Sequence, residues 1–260
     1  MPCAAVPHFL AIVERRAKRK LKKFRTQKSL ACVFCSTSNE RLSHLLSLRR
    51  LMTEMNGQGI LIHFEGATFV EPDMIGVLAS HVIPHVDSLG MNEQELPNLL
   101  SFLRNGKITM LSDAYPHVSH VLGQMRALYR LLYSRHGRVS RLHVHTVAFQ
   151  AIMTRQSASW RNTMAAAAHA SLTAHRFVSG QYEVDLNRTK ILLDNSLSSA
   201  VASIGKLAAR HGPVSCWEED VTGNGHLVTI CVVPTLVSTR VYQTAGAGDN
   251  ISAAGLVYQI

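Results

Sequence analysis

Three short groups of residues in this chain combine backbone and side chains in ways that suit work on a phosphate. The most informative lies near the C-terminal end, Thr244-Ala245-Gly246-Ala247-Gly248-Asp249-Asn250. It follows a β-branched run from Leu227 to Tyr242, interrupted by Pro234, and precedes a short apolar run from Ile251 to Tyr258 that suits a helix. Strand, glycine turn and helix start, in that order, aim several unpaired N–H groups at one point, where the helix dipole also favours negative charge. Gly246 and Gly248 let the backbone approach a phosphate with no Cβ in the way. Asp249 adds a carboxylate that phosphate would repel, useful there as a base or a metal ligand. As a bare pattern, Gly-x-Gly-Asp also describes a tight turn with an acid opening a helix.

The second group is His63-Phe64-Glu65, at the C-terminal edge of the apolar run Ile60 to Phe64. Open α/β sheets bind ligands off the carboxyl ends of their strands, which suits a working Glu65, although a loop acid at a strand end is the plainer reading. The third is Asn92-Glu93-Gln94-Glu95. Asn followed three residues later by Glu is a capping box, and a capping Glu lies at a helix N-terminus where phosphate and metal also gather, so both roles fit together. His143 and His145 share one face of a further strand, as metal ligands or as two hydrogen-bonded histidines.

The elements needed to position these groups can be read from periodicity. Leu42, Leu45, Leu46, Arg49 and Met52 fall at helical spacing, and Asn56-Gly57 ends that helix. Pro72 and Asp73 open a helix carrying Ile75, Leu78, Ala79 and Val82, and Val86 to Leu89 is a brief strand. A loop spans 105 to 118, and a helix runs from Val121 to His136, where Gly137 stops it. Arg141 to Phe149 reads as one strand, Trp160 to Phe177 as an alanine-rich helix and Ser199 to Arg210 as another helix. Val228 to Val233 and Val237 to Tyr242 are strands leading into the glycine turn. Alternating strands and helices imply a parallel-type α/β sheet, with residues 40–260 as one folding unit.

Composition narrows the function classes. A hydrophobic content of 47% over 260 residues is ample for a core. No run of 18 apolar, uncharged residues suggests a membrane-spanning helix. Met1 to Val13 lacks a charged leading region and is broken by Pro7, so it makes a poor signal peptide, and a cytoplasmic location is expected. The formal net charge is +10. Nine basic side chains lie within residues 15–28, with Glu14 the one acid beside them, so this arm carries eight of the ten charges and the body two. Residues 1–30 therefore read as a basic arm, disordered and not packed on the core, and nucleic acid or an acidic membrane would be met only through 15–28. Of five cysteines, only Cys32 and Cys35 are close in sequence, too few for a zinc site, and the odd count suggests reduced thiols.

Taken together, His63-Phe64-Glu65, the Asn92-to-Glu95 group and Gly246-Ala247-Gly248-Asp249 resemble the His-x-Glu, Asn-x-x-Glu and Gly-x-Gly-Asp signatures of the ADP-dependent glucokinases, which are ribokinase-like sugar kinases. Order and separation agree, and Arg141 to Thr146 resembles a family strand between the second and third signatures. The likeness runs from about Leu42 to the end. It implies a three-layer ribokinase-like α/β fold with helices on both faces, residues 31–260 being its C-terminal part, with the first strands and the sugar-closing lid missing. It implies transfer of a phosphoryl group from ADP to glucose, giving AMP and glucose 6-phosphate; the oligomeric state stays open, with a monomer as the expectation. Asp249 would be the base, and Gly246, Ala247, Gly248 and Asn92 would meet nucleotide and phosphate. Glu65, Glu95 and Asp249 would serve Mg2+, and the His143–His145 strand would line the nucleotide side. Animal family members suggest the endoplasmic reticulum as the other location. Two further readings stand beside this one: a non-catalytic nucleotide-binding remnant, and a protein that binds RNA or acidic membrane through its basic arm.

Overall fold

The computed structural model describes residues 10–13, 38–66, 72–109, 113, 115–192, 209–211 and 214–260, with backbone alone for 10–13, 38–42, 72–74 and 209–211. Its main sheet holds eight strands: β1 (Leu10–Val13), β2 (Leu61–Glu65), β3 (Ser88–Asn92), β4 (Arg141–His145), β5 (Phe149–Arg155), β7 (Ala209–His211), β8 (Val214–Glu219) and β9 (Val228–Pro234). Across the sheet the order is β1-β2-β3-β4-β5-β9-β8-β7. β6 (Thr189–Lys190) and β10 (Val237–Ser238) form a separate small pair.

Strand alternation decides the layering. Ile62 and Phe64 of β2, Leu89 and Met91 of β3, Leu142 and Val144 of β4, and Phe149, Ala151 and Met153 of β5 all join one buried apolar cluster. Four helices cover that face: α1 (Ser38–Gly57), α2 (Pro72–His81), α3 (Glu95–Asn105) and α4 (Val118–Arg135). The opposite face carries α5 (Thr163–Ser179) and α6 (Ala247–Val257), which pack on each other, α5 against β5, β8 and β9 and α6 against β4. The result is the expected three-layer α/β arrangement.

Several expectations need correction. Parallel pairing is confined to β2–β3–β4; every other neighbour in the main sheet is antiparallel. The expected strand 141–149 is two strands, because the Thr146 hydroxyl accepts from the amides of Ala148 and Phe149 and closes a tight turn between β4 and β5. Leu10–Val13 is not a free arm: it pairs antiparallel with Leu61–Phe64 along the sheet edge. The basic run 15–28 lies outside the described residues, as do Cys3, Cys32 and Cys35 and most of the expected helix 199–210, whose end, Ala209–His211, is strand β7. Cys216 and Cys231 face each other across β8 and β9 and form a disulfide, where reduced thiols were expected. The strand expected at Val86–Leu89 lies at Ser88–Asn92, since Asp87 is used in a turn that ties back to the backbone of Ile62. The strand expected at Val237–Tyr242 stops at Ser238, paired with Thr189. Among the described residues, no helix is long and apolar enough to cross a membrane.

On α1 the buried face is Leu45, Leu48 and Met52, whereas Leu46 is 50% exposed. The helix is thus turned away from the expected face, because Leu48 and Met52 meet the sheet-side core and Leu46 meets water. Leu48→Ala is expected to cost about 2–5 kcal/mol of stability. Leu46→Ala should stay within about 0.5 kcal/mol of the parent. Urea unfolding of both variants checks the rotation, and equal losses would refute it.

Candidate functional site

The sheet face beneath α5 and α6 is lined with polar groups between β2 and β5. Along β2, His63 and Glu65 alternate with the core residues; Ser88 and Gly90 do so on β3, Arg141, His143 and His145 on β4, and Gln150 on β5. These side chains are almost wholly buried, Glu65 at 2% exposure and Arg141 at 0%. Buried charge is tolerated only when paired and hydrogen-bonded. Glu65 meets that condition through two histidines, His63 Nε2 at 3.1 Å from Oε2 and His145 Nε2 at 3.0 Å from Oε1. His63 Nδ1 lies 2.8 Å from Ser88 Oγ, which also accepts from Arg141 Nη1 at 3.0 Å. Because Glu65 can only accept, His63 carries its proton on Nε2, and the Ser88 hydroxyl donates to Nδ1. A continuous relay therefore joins Arg141, Ser88, His63, Glu65 and His145. Arg141 Nε donates to Gln259 Oε1 at 2.6 Å, which ties the residue after the last turn of α6 into the same network.

Burial opposes the charge on Glu65, but the bonds from His145 and His63 outweigh it and hold the carboxyl well below the usual range. Burial likewise works against charge on His145, and Glu65 overrides it, raising that pKa. His143 has no such carboxylate beside it: burial and the Arg141 charge lower its pKa, and it is held through Gln150 Oε1 at 2.7 Å. The two histidines of the His-x-His pattern thus part company. His143 is a satisfied core side chain, whereas His145 reaches the site.

Two glycines make this packing feasible. A Cβ on Gly90 would sit 1.8 Å from Glu65 Oε2, and one on Gly248 would sit 2.8 Å from His145 Cε1. So the second glycine of the turn brings α6 down onto the imidazole that clasps Glu65. Gly246, at φ 85°, turns the chain into α6, and no side chain caps the helix there. The Ala247 amide donates to Thr244 O at 3.0 Å, so the first-turn amides left available to an anion are those of Gly248 and Asp249. Asp249 lies in that first turn, half-buried, with its pKa raised by burial and by the Glu65 charge against the opposing effect of His145.

Asn92 ends β3 instead of opening the next helix, yet the capping exchange is intact. Its Oδ1 accepts from the Glu95 amide at 2.9 Å, and Glu95 accepts from the Asn92 amide at 2.9 Å and from Nδ2 at 3.0 Å. Burial and nearby Glu65, against the Asn92 bond, push the Glu95 carboxyl up to about 7. The Glu65 charge is thus felt at both Glu95 and Asp249, and the three carboxylates converge at the carboxyl ends of β2 and β3 and the start of α6. A cleft of about 500 Å³ opens beside them, with Asn92, His145, Ala247, Gly248 and Ile251 in its wall, a size suited to a small ligand.

Among the described residues, no three His, Cys, Asp or Glu side chains stand close enough to hold an ion between them. The three carboxylates therefore do not form a closed cage. They fit an ion that keeps waters and takes phosphate oxygens, as magnesium does. Glu95, bonded through Asn92 and without an ion pair among the described residues, fits such an ion, and Glu65, clasped by two histidines, fits it through water.

Sequence reasoning did not find Ser88, Arg141 or Gln259, and it left His145 undecided. The alternation of Arg141, His143 and His145 along one strand face was the available signal.

The family model described as the ADP-specific phosphofructokinase/glucokinase conserved region matches residues 34–258. An ADP-dependent glucokinase from Bos taurus is 28% identical over 208 residues, covering 77% of this chain and 40% of that protein. A probable ADP-dependent glucokinase from Caenorhabditis elegans is 28% identical over 217 residues, covering 76% and 41%. A phosphofructokinase from Pyrococcus horikoshii OT3, solved with AMP, shares the fold at a TM-score of 0.58 with 21% identity, over 83% of this chain and 46% of that one. The match spans about two fifths of the length of the curated relatives. With all of its main sheet but β1, its carboxylate cluster and its glycine turn in one matched region, the chain belongs to the ADP-specific phosphofructokinase/glucokinase family.

Proposed function

We propose that this chain supplies the phosphoryl-transfer end of an ADP-dependent sugar kinase, passing the β-phosphoryl group of ADP to a hydroxyl of glucose and leaving AMP and glucose 6-phosphate. The observation that carries the reading is Asp249 in the first turn of α6, directly behind the Gly246-Ala247-Gly248 turn and beside the Glu65–His145 pair. Glucose as the acceptor rests on the names of the bovine and nematode relatives, and AMP on the ligand of the Pyrococcus structure.

In this reading Asp249 takes the proton from the attacking sugar hydroxyl as the new oxygen–phosphorus bond forms and the bond to the α-phosphate breaks. Its raised pKa brings it nearer to neutral pH than an ordinary aspartate, which suits a base. The amides at the start of α6 receive the charge that develops on the transferred group. His145, kept readily protonated by Glu65, places a cation against Gly248 without itself contacting the sugar. Asn92 orients Glu95 at the rim of the cleft. Glu95, and Glu65 through water, would hold magnesium, which would supply charge neutralisation between phosphates and carboxylates.

A second reading is nucleotide binding without transfer, which the Gly246 turn and the cleft beside it would serve equally well. One experiment separates them. Calorimetric titration with magnesium and ADP tests the site, and coupled detection of glucose 6-phosphate tests transfer. Binding with transfer supports the first reading, binding without transfer supports the second, and no binding overturns both.

Where transfer occurs, Asp249→Ala should lower kcat by about 100- to 10,000-fold while the ADP affinity shifts by no more than about threefold, because a base acts mainly in the transition state. A parallel loss of ADP affinity would reassign Asp249 to binding.

Glu95 gives a pH test. Below about 7 its carboxyl holds a proton, and that proton competes with a cation for the same oxygens. Magnesium-dependent ADP affinity should therefore fall by up to about tenfold per pH unit below 7, beyond what the nucleotide's own titration produces. Glu95→Gln should be weaker at pH 8 and lack this extra slope, and extra magnesium should partly restore it. Identical pH profiles for parent and variant would remove Glu95 from the metal's surroundings.

A further inference from the structure

Among the described residues, the polar layer under α6 contains one buried side-chain oxygen with no hydrogen-bond partner, Ser252 Oγ. Ser252 is 1% exposed, and a hydroxyl so deeply buried nearly always has a partner. It lies three residues beyond Asp249 on α6, hence on the same side of the helix and one turn deeper. The place where a Gly90 Cβ would stand lies 1.8 Å from Glu65 Oε2 and 3.0 Å from Ser252 Oγ. The missing Cβ therefore leaves a small space into which the hydroxyl and the carboxylate both reach. Glu65 Oε2 accepts one bond from His63 and keeps capacity for another. Every other polar neighbour in this layer already has its own partner: Ser88 with His63 and Arg141, His143 with Gln150, and His145 with Glu65.

We propose that Ser252 is a positioning residue of the loaded site: a phosphate drawn to the first turn of α6 settles the helix toward β3, and the Ser252 hydroxyl then donates to Glu65 Oε2. The inference rests on the nucleotide reading above. The bond ties α6, which carries Asp249, to the strand end that carries Glu65. It orients Asp249 without touching the substrate. Movement is confined to a slight settling, because Gln259 anchors the far end of α6 to Arg141, and a Cβ on Gly255 would stand 3.2 Å from His143.

A bond formed only with phosphate contributes to affinity and not to the stability of the free protein. This separates positioning from a structural role. Ser252→Ala should leave the thermal midpoint of the free chain unchanged or slightly raised, since an unpartnered hydroxyl is removed. It should weaken binding of magnesium with ADP by roughly tenfold, in keeping with a hydrogen bond to a charged acceptor. Ser252→Cys, similar in size but a poor donor, should show the same pattern and serves if the alanine variant folds badly. A lowered midpoint with unchanged ADP affinity in either variant would overturn the proposal, as would no change in either quantity. Failure of the parent chain to bind ADP would overturn the nucleotide reading and this proposal with it, whereas parent binding with unaffected variants would overturn this proposal alone.

Discussion

The structure depends on keeping one carboxylate charged where there is almost no water. Glu65 ends β2, the strand next to the sheet edge, and its oxygens are held by His145 on one side and His63 on the other. Removing a partner from such a group leaves an uncompensated buried charge, a loss of about 3–5 kcal/mol. The remaining polar layer follows from that requirement. Glu65 fixes the tautomer of His63, Ser88 donates to its other ring nitrogen, and Arg141 supplies positive charge through Ser88 instead of by direct contact. Burial lowers the Arg141 pKa to about 10, still far above neutrality, so the charge persists. Gln259 then holds the guanidinium and thereby the tail of α6. The carboxylate, the strands and the helix bearing the glycine turn thus form one hydrogen-bonded unit.

The two faces of the sheet divide the work. Beneath α1 to α4, aliphatic side chains fill a continuous apolar cluster whose stability comes from area removed from water. Beneath α5 and α6 the same strands present charge and amide groups, tolerated because each has a partner. Small residues on the helices make this close approach feasible. Ala166 and Ala167 of α5 pack against Ile152, Val214 and Cys231, and α6 approaches β4 at Gly248 and Gly255. An apolar layer of ordinary bulk would hold α6 too far away for its first turn to meet His145.

What could be read from sequence follows from which interactions are local. The helices α2 to α5 and strands β2, β4 and β9 announce themselves by periodicity, by Pro72 and by Gly137, all short-range signals. The Asn92–Glu95 exchange was also legible, since both partners lie within one turn. The convergence of Glu65, Glu95 and Asp249 was accessible because each sits at a strand end or helix start, where α/β sheets gather ligands. Less legible was everything decided by pairing across the chain. The Thr146 turn that splits β4 from β5 relies on one hydroxyl among many threonines. Pairing of Leu10–Val13 with β2 unites segments separated by an α-helix and a basic run. The Cys216–Cys231 disulfide depends on β8–β9 register, which cysteine counting cannot reveal. Ser88, Arg141 and Gln259 read as ordinary polar residues until the fold brings them to one point.

The pKa pattern shows how the site's parts constrain one another. His145 and His63 hold Glu65 ionised, and that fixed charge then acts outward on Glu95 and Asp249, raising both along with burial. Three carboxylates in one corner would not all stay charged without a cation, and His145, whose pKa Glu65 raises, sets a charge directly against only the innermost. The outer two differ in a way that matters. Glu95 is buried and locked by Asn92, so its unmet charge is a fixed demand for a positive partner at a defined place. Asp249 is half-buried at the mouth of a helix whose dipole favours its ionised form, and it faces His145, so it can give up or take a proton at modest cost. A single deep carboxylate, clamped by two histidines, thus separates its two neighbours into one suited to hold a cation and one suited to move a proton.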